Sequence, residues 1–343
     1  MPGIPFFARI LQIYKTHIFL IKPFLPNKMK AINELLPMAI NAIETAAQTG
    51  QRQDCVLTGF SELDRYVGGF ENGDLIVVGA RPGVGKTAFL CSLALNVARQ
   101  MKQPVMFYTF DSSCQQLCYR LIANVNRIDG NRLAMGQLTD EEWKRFEANE
   151  DVLKQIPLFI SDDSKPVVED LCNDIRSLVE NRGIQLVMID YLQLLNRRNP
   201  SDQRYQDVAG ITKALKHLAR EMKIPIVVAS QINRNPEWRN ERAHEGNVLP
   251  EMYDLRDSGT ICEDANLVML LNRPEMYYRN GEDPEGNDVR GLANLIVAKN
   301  NNGSCEEIKL RFHATFSCFE DYTYEEWSPS GVEKSAPSST NPT

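Results

Sequence analysis

The chain has 343 residues, 43% hydrophobic, 24% charged and 8% aromatic, which excludes a disordered, collagenous or low-complexity protein and suits one large α/β domain with extensions. With 38 basic against 45 acidic residues the net charge is −7, so bulk attraction to nucleic acid is excluded and any such contact has to be local. Eight cysteines without a CxxC pair and four scattered histidines (His17, His217, His244, His313) offer neither a disulfide framework nor a metal cluster, which points to reduced thiols in a cytoplasmic protein with no structural metal.

Residues 1–30 form a basic, apolar arm. Arg9, Lys15, Lys22, Lys28 and Lys30 give it +5 with no acid, so the remainder of the chain holds −12. Those charges break every apolar run before it reaches the ~20 residues that span a bilayer, and no cleavage-site pattern follows, so neither a membrane span nor a secretory signal is expected. Residues 31–54 read as a linker helix and connector: Ile32, Leu35, Leu36, Ala39, Ile43 and Ala47 make a helical stripe that stops at Gly50. Its apolar face needs a partner, and a neighbouring subunit is the natural candidate.

Residues 55–322 carry the main domain. Short β-branched runs at 75–79, 105–110, 158–161, 185–190, 226–230 and 267–271 alternate with helical patterns at 86–100, 114–127, 139–154, 167–182 and 204–222. Strand and helix in repetition predict a mainly parallel sheet covered on both faces. Thr139 with Glu142 forms a capping-box pattern, and Cys91, Cys114, Cys118 and Cys172 fall in helices as packing residues. Runs at 292–299, 306–314 and 316–320 predict sequential antiparallel edge strands, and residues 323–343 a disordered Ser/Pro-rich tail.

The strongest signal is LIVVGARPGVGKTAF, an apolar strand running through a Gly-rich turn into a helix. In Ala80, Arg81, Pro82, Gly83, Val84, Gly85, Lys86 and Thr87 the backbone curls so that its N–H groups face a polyphosphate, with Ala80 where strict spacing places glycine. Lys86 is positioned for β/γ oxygens and Thr87 for Mg²⁺. A second magnesium anchor belongs at the end of an adjacent apolar strand, and QLVMID supplies Asp190. The cofactors expected are ATP and Mg²⁺.

Together with TGFSELDRYVGGF, GQLTDEEW, IDYLQLL, SQINR, DLRDSG and AKNNNG, in order over about residues 31–320, this segment resembles the RecA-like motor domain of replicative DNA helicases of the DnaB type. The resemblance implies a RecA-like P-loop NTPase core preceded by a linker helix packed on the adjacent subunit. It further implies a homo-hexameric ring translocating on single-stranded DNA in DNA replication, with a helicase loader or other replication proteins as partners. Gln231 would sense the γ-phosphate, Lys299 would serve catalysis from the neighbouring subunit, and Arg234, Arg256, Asp257 and Gly259 would touch DNA.

Three departures accompany it. Asp111 stands where the family has a catalytic glutamate, one methylene shorter. Asn301 stands where the KxRNG turn carries an arginine finger, with Arg290 and Arg311 as neighbouring cations to replace it. Only about 30 residues precede the linker helix, so the family's primase-binding N-terminal collar is not expected. The first two departures strike hydrolysis and not binding, which motivates an alternative: a nucleotide-binding, non-motor paralogue that assembles with or regulates a helicase.

Overall fold

The computed structural model describes residues 31–49, 52, 54–162, 166–232, 249–255, 258–278 and 280–323, and the chain divides into two units, 1–53 and 54–343. The predicted arm and all of the predicted tail from residue 324 on, together with Arg234, Arg256 and Asp257, lie outside the described residues. In the first unit, α1 (Ile32–Thr49) runs as expected, with Ile32, Leu36 and Ile43 of its apolar stripe exposed.

The second unit is built on a nine-stranded sheet. Its strands are β3 (Leu75–Ala80), β4 (Val105–Thr109), β5 (Leu158–Ser161), β6 (Leu186–Asp190), β7 (Ile226–Gln231), β8 (Leu267–Asn272), β9 (Leu292–Asn300), β10 (Glu307–His313) and β11 (Cys318–Asp321), in the spatial order β11-β10-β9-β8-β3-β7-β6-β4-β5. The strands from β8 to β5 in that order pair in parallel, and β9, β10 and β11 add antiparallel at one side, as the sequence pattern predicts.

Both faces of the central strands are covered, which is why their sequences are unbroken apolar runs. Ile76, Val78 and Ala80 of β3 pack with Phe89, Leu90 and Leu93 of α3 (Lys86–Leu95) and Leu117 of α4 (Cys114–Asn126). Leu75 and Val77 pack instead against the layer that includes Ile175 of α7 (Val168–Arg182) and Ile211, Leu215 and Leu218 of α8 (Arg204–Met222). Phe89 is wholly buried, stacked on Phe60 at 5.5 Å and edge-on to Phe319 at 5.7 Å, so two rings from outside α3 hold it in place. Truncating such a phenylalanine costs about 3–5 kcal/mol.

Several elements escape periodicity because they are too short for it. The two-stranded pair β1 (Cys55–Val56) and β2 (Phe70–Glu71) flanks α2 (Ser61–Val67), and α5 (Gly130–Ala134) and α9 (Ser258–Asp264) are single turns or little more. The helix predicted over 86–100 is α only to Leu95 and ends in a π-helical turn, Asn96–Gln100. The capping box of α6 (Asp140–Gln155) forms as read: the Thr139 hydroxyl accepts from Glu142 N–H at 3.2 Å, and Glu142 accepts from Thr139 N–H at 2.8 Å. One packing expectation is corrected: Cys118 is exposed and Cys114 half-exposed, because α4 turns that face outward, while Cys91 and Cys172 are buried. Among the described residues no helix is long and apolar enough to cross a membrane.

Candidate active site

The parallel register brings five strand ends together. Ala80 pairs across to Gln231 on one side and Leu271 on the other, and Thr109 pairs with Asp190, so the C-terminal ends of β3, β4, β6, β7 and β8 share one edge. From that edge the chain leaves β3 through residues 81–85 and enters α3. Gly83 and Gly85 take φ of +80° and +111°, conformations that L side chains rarely adopt, and a Cβ on Gly85 would sit 3.3 Å from the Phe319 ring. No side chain caps the N-terminus of α3, so its first-turn N–H groups and the positive end of the helix dipole face the loop.

Two cations sit in this cradle. The Lys86 ammonium bonds the Ala80 carbonyl at 3.2 Å and the Arg81 carbonyl at 3.5 Å. Arg81 is 8% exposed and donates from Nη1 to the Tyr277 hydroxyl at 2.6 Å, while its Nε and Nη2 are buried without a partner. Buried donors left unpaired are costly, and a polyphosphate would satisfy them.

Asp190 closes the site from β6. It is 1% exposed, and its Oδ2 accepts the Thr87 hydroxyl at 2.6 Å. Burial raises the Asp190 carboxyl above the ordinary aspartate value, opposed by the Thr87 hydrogen bond and the Lys86 charge. Burial likewise lowers the Lys86 ammonium, opposed by Asp190 and Asp111. The two groups are thus desolvated together, and each charge partly offsets the cost of burying the other. A hard carboxylate and a hydroxyl 2.6 Å apart form an oxygen donor pair of the kind Mg²⁺ uses alongside substrate phosphates.

Asp111 is exposed on the turn after β4. The Thr109 hydroxyl donates to Ser112 O at 3.0 Å and fixes that turn, and Asp111 lies close enough for its charge to act on both Lys86 and Asp190. Gln231 ends β7 between β3 and β6, and Ile232 N–H donates to the Ala80 carbonyl at 3.1 Å, tying this strand end to the P-loop. Gln193 belongs to the site although its sequence pattern does not mark it. Its Oε1 accepts Gln231 N–H at 3.2 Å and its Nε2 donates to Ser230 Oγ at 2.9 Å, bracing the β7 end from the turn after β6. The only signal was its place in IDYLQLL.

The remaining predicted residues lie elsewhere. Lys299 pairs opposite Val268 near the start of β8, at the far end of the sheet, and its ammonium bonds the carbonyls of Cys262 at 2.8 Å and Ala265 at 2.6 Å around the C-terminus of α9. Gly259 is exposed on α9. Arg290 and Arg311 do not stand beside Asn301: Arg311 pairs with Leu292, which begins β9, whereas Asn301 follows its last residue, Asn300. Arg290 is bound to Asp288 at 2.9 Å. The expectation that either replaces the finger at that turn is therefore corrected.

A mainly parallel sheet, a glycine-rich turn into an uncapped helix, and a threonine–aspartate pair define a P-loop nucleotide-binding core of the RecA-like type. The family model "DnaB-like helicase C terminal domain" matches residues 55–321, and the chain belongs to that family. It is 34% identical over 302 residues to the replicative DNA helicase DnaB of Buchnera aphidicola subsp. Baizongia pistaciae, covering 87% of this chain and 63% of that protein. To the replicative DNA helicase DnaB of Haemophilus influenzae it is 37% identical over 269 residues, covering 78% and 55%. The chain thus spans roughly three-fifths of the length of these relatives. Among solved structures, one described as an ATPase domain superposes with TM-score 0.77 at 26% identity, over 86% of this chain and 100% of that one. A second, titled "The Structure Of A DnaB-Like Replicative Helicase And Its Interactions With Primase", gives TM-score 0.73 at 25% identity over 91% and 72%.

Proposed function

We propose that this chain is an ATP-driven DNA helicase of the replicative type, working as a ring of six copies that draws single-stranded DNA through its centre and unwinds duplex. The observation that carries the reading is the convergence of Lys86, Thr87 and Asp190 on the uncapped start of α3, in a chain whose relatives are named replicative DNA helicases. Those names favour a motor over the alternative of a non-motor regulatory subunit.

In this mechanism residues 80–87 wrap the triphosphate with backbone N–H groups, Lys86 leaves its carbonyl partners for the β/γ oxygens, and Arg81 adds its two unpaired donors. Thr87 and Asp190 would hold Mg²⁺, and the ion would supply charge neutralisation to the triphosphate. Asp111 accepts the proton of the attacking water. Gln231 registers the γ-phosphate and, being continuous with the segment that carries Arg234, passes its state toward the DNA contacts, for which Arg256, Asp257 and Gly259 are the further candidates. Lys299, at the opposite end of the sheet from its own P-loop, is assigned to the triphosphate of a neighbouring copy, for which its ammonium would leave the carbonyls of Cys262 and Ala265. A loader and, as the second structure's title names for that helicase, primase are candidate partners.

Steady-state ATP hydrolysis with and without single-stranded DNA, with Lys86→Ala as control, tests the reading. Stimulation by DNA and unwinding of a forked duplex are expected; a flat response to DNA would leave only nucleotide binding.

A further inference from the structure

At the sheet end opposite the P-loop lies a cavity of about 480 Å³ walled by the cations Lys216 and Arg220, the acids Asp74, Glu263 and Asp264, and the amide of Asn301. Asp74 and Asn266 immediately precede β3 and β8, whereas the P-loop leaves the other end of β3, so the two sites are separated by the strand's six residues, ~20 Å at 3.3 Å each. Asn301 is fastened here by its N–H to the Asn266 carbonyl at 3.0 Å. Its neutral amide cannot offset charge developing on a phosphate.

The cavity's cations differ in their freedom. Lys216 donates to Asn266 Oδ1, and its ammonium is lowered first by burial and further by the Arg220 and Lys299 charges, against the opposing pull of Asp74 and Asp264. Those two acids are therefore already facing a cation, and Asp264 also accepts the Thr212 hydroxyl at 2.7 Å. Lys299, behind the turn, is bound to the carbonyls around α9. Arg220, in the last turn of α8, is exposed and, among the described residues, makes no hydrogen bond or ion pair. A planar, permanently charged fork on this rim is the group suited to a phosphate arriving from outside.

We infer that Arg220 supplies to the γ-phosphate of ATP on the neighbouring copy the guanidinium that Asn301 lacks. This rests on the ring reading above and explains how the assembly hydrolyses ATP with a neutral residue at the finger position. The guanidinium neutralises charge on the transferring phosphoryl group as the bond to the leaving ADP breaks and water adds. It forms no covalent bond and transfers no proton.

The test uses the full chain with ATP, Mg²⁺ and single-stranded DNA. Arginine fingers contribute ~10³ to 10⁵ in rate, so Arg220→Ala is expected to lose at least ~100-fold in kcat while keeping its affinity for a fluorescent ATP analogue. Turnover should return in Arg220→Ala/Asn301→Arg, which replaces the charge from the adjoining turn. It should also return on mixing Arg220→Ala with Lys86→Ala, each inactive alone, because mixed rings contain seams pairing an intact Arg220 with an intact Lys86. Undiminished kcat in Arg220→Ala, or a loss that neither the second substitution nor mixing restores, overturns the inference while the helicase reading stands. A wild-type chain that does not hydrolyse ATP overturns that reading and, with it, this one.

Discussion

The Thr87 hydroxyl donates to Asp190 Oδ2 across 2.6 Å, joining the first turn of α3 to the end of β6 although β7 lies between β6 and β3 in the sheet. If this pair holds Mg²⁺, Asp190→Asn should lower turnover by ~10² to 10³, the equivalent of the several kcal/mol a metal contributes to charge stabilisation. Thr87→Ser should stay near wild type because it keeps the hydroxyl. Magnesium titrations of ATP hydrolysis check both, and an Asp190→Asn chain with wild-type magnesium dependence would remove the aspartate from the metal site.

Asp111 is placed by the Thr109–Ser112 turn within electrostatic reach of Lys86 and Asp190. As the base, its loss in Asp111→Asn should cost ~10² to 10⁴ in kcat with nucleotide affinity retained. Asp111→Glu, which restores about an ångström and a half of reach, should raise kcat. Single-turnover hydrolysis separates these effects from binding; equal rates in all three chains would assign the proton to another group.

Glu142 accepts Thr139 N–H at 2.8 Å, accepts the Thr139 hydroxyl at 3.1 Å and pairs with Arg132 at 2.8 Å. The backbone hydrogen bond, first among these, holds its carboxyl below the ordinary glutamate value of 4.5. A depressed carboxylate stabilises the folded state above its unfolded pKa and loses that contribution as pH falls through the folded one. Thermal melts of wild type and Glu142→Gln should therefore differ at pH 7 and converge on acidification below 4.5. Thr139→Ala should cost about 1 kcal/mol by denaturant titration at neutral pH.

Burial pushes the thiols of Cys91 and Cys318 up to about 12 and that of Cys172 to about 11. Because only thiolate reacts, a thiol reagent at pH 8 should modify the exposed Cys118 and Cys305 rapidly and these three only on unfolding. Mass spectrometry after brief labelling gives the count, and Cys118→Ser/Cys305→Ser should abolish the fast phase. Early modification of Cys91 would mean that α3 opens in the folded protein.

The elements that sequence reading placed best are those whose pattern is local. The helix at Arg204–Met222 matches end for end, and the Thr139 cap was visible in four residues, because capping and periodicity are properties of neighbouring side chains. The phosphate cradle was legible for the same reason. Cys118, by contrast, was misplaced: which face of α4 meets the core depends on what packs there. Gln193 was missed because a glutamine after a strand is unremarkable until β7 is seen to lie beside it.

What the sequence by itself determined is the chemistry of the loop from Ala80 to Thr87, since glycine conformations, a lysine and a helix start act within a few residues of chain. What only the tertiary structure decided is which distant groups meet, Asp190 with Thr87 and Gln193 with Gln231, and which share a cavity, as Arg220 and Asn301 do, all of it set by strand order and packing. Local pattern does not choose that order. It follows from burying both faces of one sheet at once, a free energy that belongs to the whole core and to no single segment.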